Sequence, residues 1–320
     1  KYGILTELLP PSQLVKANGW IEGLTISSII LGVLFGGQLL SPQIAQPLLD
    51  FDFPFIDTGV DTPPEAAISV IGVIYFIAAA INTRIPLTCA VMRPMPSNPL
   101  SLLPDFWTCN KRLWEDKLGQ ISLASTTLFW GVSGNLRYIV LAWAAVALGY
   151  AVPEASRLVG VVAIGTAAGA VFASMRMRLD QATRVMPLGI VMGVLVVAMV
   201  FIHQLWLAVP FLIVLGAIGG YLVVPMNALL QHRGHNLMGA GRSIAVQNFN
   251  EQACILGIGF LYSLATRGGL SAYGAIVIFG VLVSLSMWLI QRWYAHNCTR
   301  HAAELDNLLE IARSDKSHCV

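Results

Sequence analysis

The chain has 320 residues, of which 56% are hydrophobic and 11% charged, with a net charge of +2 and a mean hydropathy of +0.70. An ordinary soluble domain carries roughly 25% charged residues, so these figures exclude one and define a polytopic membrane protein.

A span across a hydrocarbon core of about 30 Å needs roughly 20 apolar residues. About eight such runs occur: Val15 to Leu40, Ala66 to Asn82, Ile121 to Leu148, Leu158 to Ser174, Met186 to Ile202, Leu205 to Leu229, Ala240 to Ala265 and Ala272 to Trp293. Their length favours helices, because barrel strands would be about ten residues long and alternating. Placing the first residues in the cytoplasm leaves only Arg157 and Arg267 in outside segments, with Asp50, Asp52, Asp57, Asp61 and Glu65 in the first outside loop. The positive-inside rule therefore sets the orientation.

In chain order, Lys1 to Pro11 reads as the cytoplasmic end of an element whose earlier part is absent, so an N-terminal truncation is expected. LVKANGWIEG, Leu14 to Gly23, opens the first span with Asn18 and Glu22. Glu22 is either an interfacial carboxylate neutralising a neighbouring cation or a gate and substrate contact. Gly32, Gly36 and Gly37 are small residues suited to close helix packing. The outer loop Ser41 to Glu65 is acidic and lacks the ligand spacing of a dedicated calcium loop, so a solvated loop is expected.

The inside segment from Arg84 to Gln120 carries Trp107, Lys111, Arg112 and Trp114. Aromatic and basic residues interleaved on that side suit an interfacial helix touching anionic membrane lipids rather than nucleic acid. Arg137 then interrupts an apolar run from Ile121 to Leu148. A charge at bilayer depth costs roughly 3 kcal/mol on insertion scales, which makes it a candidate functional residue. A guanidinium is shaped for bidentate binding of phosphate or carboxylate.

MRMRLDQATR, Met175 to Arg184, is read either as simple positive-inside anchoring or as a degenerate basic loop signature of a large transporter superfamily. Gly219, Gly220 and Pro225 mark a span that bends or packs closely. His232 and His235 lack accompanying Cys or carboxylate ligands, so no metal site is expected. VQNFNEQ, Val246 to Gln252, is the densest polar cluster in any span. Gln247, Asn250 and Glu251 follow i, i+3, i+4 spacing with Asn248 beside them, which favours a water-filled cavity. Glu251, roughly 18 Å from the cytoplasmic start of its span and so close to the depth of Arg137, is the expected partner of Arg137. Ala302 to Ala312 is an amphipathic tail, and the five cysteines are expected as free thiols.

KYGIL at Lys1, LVKANGWIEG at Leu14, FWG and LRY between Phe129 and Tyr138, GGYLVVPMNALLQ at Gly219 and GAGRSIAVQNFNE at Gly239 together resemble the lysophospholipid transporter branch of the major facilitator superfamily. The resemblance runs from Lys1 to about Trp293. It implies an all-α membrane protein of the bacterial inner membrane with a twelve-span major facilitator fold, of which about eight transmembrane helices are present. Residues 1–83 would be the remainder of the first half, 84–120 the inter-half loop, 121–294 the second six-helix half and 295–320 a cytoplasmic tail. The implied activity is alternating-access movement of lysophosphatidylethanolamine and lysophosphatidylglycerol to the cytoplasmic leaflet, with no cofactor. A cytosolic acyltransferase coupled to an acyl-carrier-protein synthetase would reacylate them. Lys1, Glu22, Arg137, Gln247, Asn248 and Glu251 would be cavity and gate residues. The rival readings are efflux of a drug or metabolite, and a non-transporting membrane partner of the acyltransferase. A lipid-modifying enzyme is disfavoured because no nucleophile–base pair or metal set accompanies the spans.

Overall fold

Each of the eight apolar runs forms a helix in the computed structural model, which describes residues 3–49, 62–85 and 98–313. Twelve α-helices, and no strand, occur among the described residues. Five stretches are both long and apolar enough to cross a membrane: α4 (Pro63–Asn82), α7 (Val152–Arg176), α8 (Met186–Ala198) with its flanking 3-10 turns, α9 (Leu205–Met238) and α11 (Ala272–Arg300). Three more match them in length, namely α2 (Pro11–Leu39), α6 (Gly119–Ala147) and α10 (Ala240–Arg267). These three carry the polar side chains singled out above.

Contacts divide the chain into two units. One comprises Lys1–Ile26 with Cys89–Val320, and the other Ser27–Thr88. In the second, the segment read as an outer loop contains a helix, α3 (Pro42–Leu49), packed on α4 through Ala45, Ala66 and Ala67. Glu65 accepts from both the backbone N–H and the hydroxyl of Thr62, at 2.9 and 2.7 Å, so this acidic residue caps α4. Asp50, Asp52, Asp57 and Asp61 lie outside the described residues. Among the described residues a Cβ added at Gly32 or Gly36 would meet nothing within 4 Å, so neither glycine makes there the close contact expected of it.

The first unit is held by glycines elsewhere. α7 and α9 run parallel, and Gly165 and Gly169 of one interlock with Gly216 and Gly220 of the other. A Cβ at any of the four would fall 2.0–2.2 Å from a carbonyl oxygen of the facing helix. Backbones this close exchange dispersion and weak Cα–H···O contacts that a larger side chain would forbid. Gly193 and Gly280 bring α8 against α11 in the same way, and the Ser284 hydroxyl donates across that seam to the carbonyl of Ile190 at 3.1 Å.

A buried ion pair fixes the end of the bundle where α6 starts and α9 stops. Arg233 near the end of α9 donates through Nε and a terminal nitrogen to the two oxygens of Asp116, the Nε bond being 3.2 Å. Asp116 also accepts from the backbone N–H of Gly119 at 2.6 Å, so one carboxylate starts α6 and ties it to α9. Beside it, α5 (Leu102–Glu115) is fastened to the bundle. Cys109 and Leu113 are buried against Leu123, Leu230 and Val246, Asp105 pairs with Arg242 at 2.6 Å, and Trp114 stacks on Trp293. Trp114 therefore faces protein, whereas Trp107, Lys111 and Arg112 remain exposed.

Gly169→Val is expected to cost about 1–3 kcal/mol or more through overpacking, lowering the thermal unfolding midpoint of the purified protein. Gly32→Ala, which meets open space and improves helix propensity, is expected to leave it unchanged or slightly raised.

Candidate functional site

Three helices each present a pair of polar residues four apart, and the three pairs meet. These are Asn18 and Glu22 on α2, Asn227 and Gln231 on α9, and Gln247 and Glu251 on α10. All six are at most 8% exposed. Four-residue spacing puts each pair on one helix face. Helix formation is not in conflict with these residues, because a helix pairs most of its backbone groups internally and the polar side chains can find partners on neighbouring helices.

The side chains supply those partners to one another. Asn18 and Gln231 form a closed amide pair, each donating to the other's oxygen at 3.0 Å, and Asn18 also donates to the carbonyl of Leu14 at 2.9 Å. One turn deeper, Gln247 donates to Asn227 Oδ1 at 3.0 Å and to Glu251 Oε1 at 2.8 Å. Glu22 lies near enough to Glu251 for the two carboxylates to act electrostatically on each other. The amide oxygen of Gln247 is buried without a hydrogen-bond partner among the described residues, leaving the junction able to accept one further donor.

The side of the junction next to α1 is covered. α1 (Gly3–Leu8) lies against α9 and α10. Thr6 Oγ1 is 3.2 Å from Nδ1 of His235, and Gly3 sits where a Cβ would touch Ile244. α2 approaches α7 closely at Gly19, where a Cβ would fall 2.3 Å from the Ser174 side chain. His232 is 3.3 Å from the Asn236 amide, so the two histidines of the turn engage different neighbours.

Arg137 is placed apart from this junction. α6 and α10 run side by side in the same direction, with Gly131 against Cys254 and Ile258, and Asn135 donating to the carbonyl of Ile255 at 3.0 Å. That register sets Arg137 beside the turn near Leu261, roughly 15 Å beyond Glu251 at 1.5 Å per residue. Equal depth had been the reason to pair them, and the helix register removes it. Arg137 is exposed instead, donating to the Tyr138 hydroxyl at 2.7 Å with its guanidinium carbon 4.7 Å from that ring's centroid. It makes no ion pair among the described residues.

The remaining sequence-selected residues divide. Gln247 and Glu251 meet in the junction with Glu22 beside them. Asn250 turns away and holds α5, donating to Asn110 Oδ1 at 2.8 Å while accepting from the Trp114 indole at 3.3 Å. Asn248 is exposed, and Lys1 lies outside the described residues. The 3.6-residue helical repeat explains the split, since i+3 and i+4 lie on either side of the residue below and a neighbouring helix selects one. Asn227 and Gln231 were missed. Their signal was the four-residue spacing of two amides inside an apolar run, which is visible but carries no pointer to its tertiary partners. Cys109, Cys254 and Cys298 are free thiols, while Cys89 and Cys319 lie outside the described residues.

Membrane-length helices that enclose buried polar side chains define a multi-pass helical membrane protein. The chain is 38% identical over 299 residues to the lysophospholipid transporter LplT of an Enterobacter species, covering 91% of this chain and 70% of that one. It is 36% identical over 297 residues to the protein of the same name from Photorhabdus laumondii, with 92% and 70% covered. With that of Pectobacterium carotovorum it shares 37% over 272 residues, or 85% and 62%. The chain thus spans between about three fifths and seven tenths of the length of these relatives. It belongs to the lysophospholipid transporter family, and is a multi-pass protein of the bacterial inner membrane. No protein-family model matches the chain, and no solved structure matches it.

Replacing Asn18 or Gln231 singly with Leu leaves one buried amide unpaired, a loss of about 1–3 kcal/mol. Replacing both removes the unpaired group, so the double variant is expected to be more stable than the sum of the singles. A double-mutant cycle on thermal stability measures the coupling.

Proposed function

We propose that the chain takes part in moving lysophospholipids, such as lysophosphatidylethanolamine and lysophosphatidylglycerol, to the cytoplasmic leaflet of the bacterial inner membrane. What supports this reading is membership of the family together with a polar junction inside an otherwise apolar helix bundle. Six buried polar residues exceed what interhelical hydrogen-bond glue requires, at about 1 kcal/mol or less per contact. Helices held by hydrogen bonds can part when those bonds are replaced by water or a headgroup.

In this reading α1, α2 and α4 are the remainder of one half of an alternating-access transporter, and α6 to α11 form the other. The Asn18–Gln231 pair and the Thr6–His235 contact close the cytoplasmic end between them. Arg137 takes the lipid phosphate as an always-charged bidentate donor from the far side of that closure, with Tyr138 holding the guanidinium in place until the lipid arrives. The single acyl chain lies along apolar helix faces. Glu251, held by Gln247, tunes the junction rather than neutralising Arg137. The moved lipid is a substrate for reacylation, so a cytosolic acyltransferase is the downstream partner. The tail does not offer its apolar face for docking that enzyme, because Leu305 and Ala312 of α12 (Ala302–Arg313) are already buried.

Uptake of labelled lysophosphatidylethanolamine into spheroplasts that lack their own transporter tests the assignment. Arg137→Ala is expected to lose at least tenfold in uptake with normal membrane accumulation, because a charge-assisted bond to phosphate is worth about 1.5–3 kcal/mol. Wild-type uptake in that variant would remove Arg137 from the substrate path. Export of unrelated compounds without any lysolipid uptake would favour the efflux reading.

A further inference from the structure

A second feature, an apolar groove, lies on the surface of the bundle. Where glycines bring α7 and α9 into backbone contact, the helices leave a groove of about 590 Å³, almost wholly apolar in lining. Gly169 and Ala217 form its floor, where the two backbones touch, and Phe172, Leu188, Ile218 and Tyr221 border it. Its volume falls within the range of small-molecule sites. Ala170 and Ser174, which meet α2 at Gly19, lie roughly 200° around α7 from Ala168 and Phe172, so the groove faces away from the polar junction.

One end of the groove is charged. Arg176, the last residue of α7, is exposed and holds its guanidinium carbon 5.3 Å from the Phe172 ring centroid. The next cation is differently placed: Arg178 pairs with Asp180, which also takes Arg313 of α12 at 3.1 Å. Arg176 makes no ion pair among the described residues. It stands at the cytoplasmic end of a membrane-crossing helix, the level of the inner-leaflet headgroups.

We propose that this groove binds an anionic two-chain phospholipid of the cytoplasmic leaflet, with one acyl chain along Gly169 and Ala217 and its phosphate on Arg176. The ring beneath the guanidinium keeps the cation aimed along the groove while leaving its donors free for phosphate oxygens. Bilayer phospholipid is the occupant because the groove is open along its length to the hydrocarbon and turned away from the junction through which a transported lipid would pass. The site stands independently of the lysolipid reading, since its binding assay involves no transport.

Native mass spectrometry of the purified chain in detergent, titrated with phosphatidylglycerol, phosphatidylcholine or lysophosphatidylethanolamine, tests it. The wild-type chain is expected to retain phosphatidylglycerol in preference to the other two. Arg176→Gln weakens that retention roughly fivefold, the effect of about one basic residue facing an anionic headgroup, and Arg176→Lys restores most of it. Ala168→Phe, which fills the groove, removes the adduct whatever the headgroup. Equal retention by the wild type and Arg176→Gln would overturn the proposal. So would displacement of phosphatidylglycerol by an equal concentration of lysophosphatidylethanolamine, which would make the groove a lysolipid site.

Discussion

A polar side chain inside hydrocarbon has to find its partner within the protein, and the arrangement of α2, α9 and α10 follows from that requirement. Each helix brings two polar residues one turn apart. The amide pair of Asn18 and Gln231 and the chain from Asn227 through Gln247 to Glu251 satisfy nearly all of them. Leaving any one unpaired costs about 1–3 kcal/mol, so the three helices are held in one register. In the proposed reading the same constraint lets the junction serve as a gate. Its bonds are good enough to close the bundle, yet water or a phosphate headgroup can replace each one at little net cost.

Around this junction the bundle is held by shape. Hydrocarbon gives helices little hydrophobic reason to associate, so contact has to come from close backbone approach. Gly165, Gly169, Gly216 and Gly220 provide it between α7 and α9, and Gly193 and Gly280 do so between α8 and α11. The buried fork between Arg233 and Asp116 is a different kind of tie. Removing one partner of such a pair costs about 3–5 kcal/mol because a charge is left stranded. It keeps the start of α6 fixed to the end of α9.

Length and apolarity made the helices legible in the sequence, since a run long enough to span a bilayer has few alternatives to a helix. The family was legible as well, because its motifs sit at helix starts and polar turns. Pairing was not. Arg137 and Glu251 seemed matched when depth was counted separately from each helix start. The actual register depends on where Gly131 meets Cys254 and where Asn135 meets Ile255, which are tertiary facts. Asn250 shows the same limit, because periodicity placed it near Glu251 but α5 claimed it. Glycines were legible as packing residues in general, yet the sequence could not say that those of α7 and α9 interlock while Gly32 and Gly36 meet nothing within 4 Å among the described residues.

The central claim is that the buried amide pair between α2 and α9 opens and closes during lysophospholipid movement. It is tested most directly by replacing the five native cysteines, introducing Asn18→Cys and Gln231→Cys together, and joining them with a short bifunctional thiol reagent. Uptake of labelled lysophosphatidylethanolamine is then followed in spheroplasts expressing the full gene that encodes this chain. The account predicts that cross-linking stops uptake and that a cleavable linker restores it on reduction. Uptake unaffected by a complete cross-link would show that the helices need not part there, and would contradict the account.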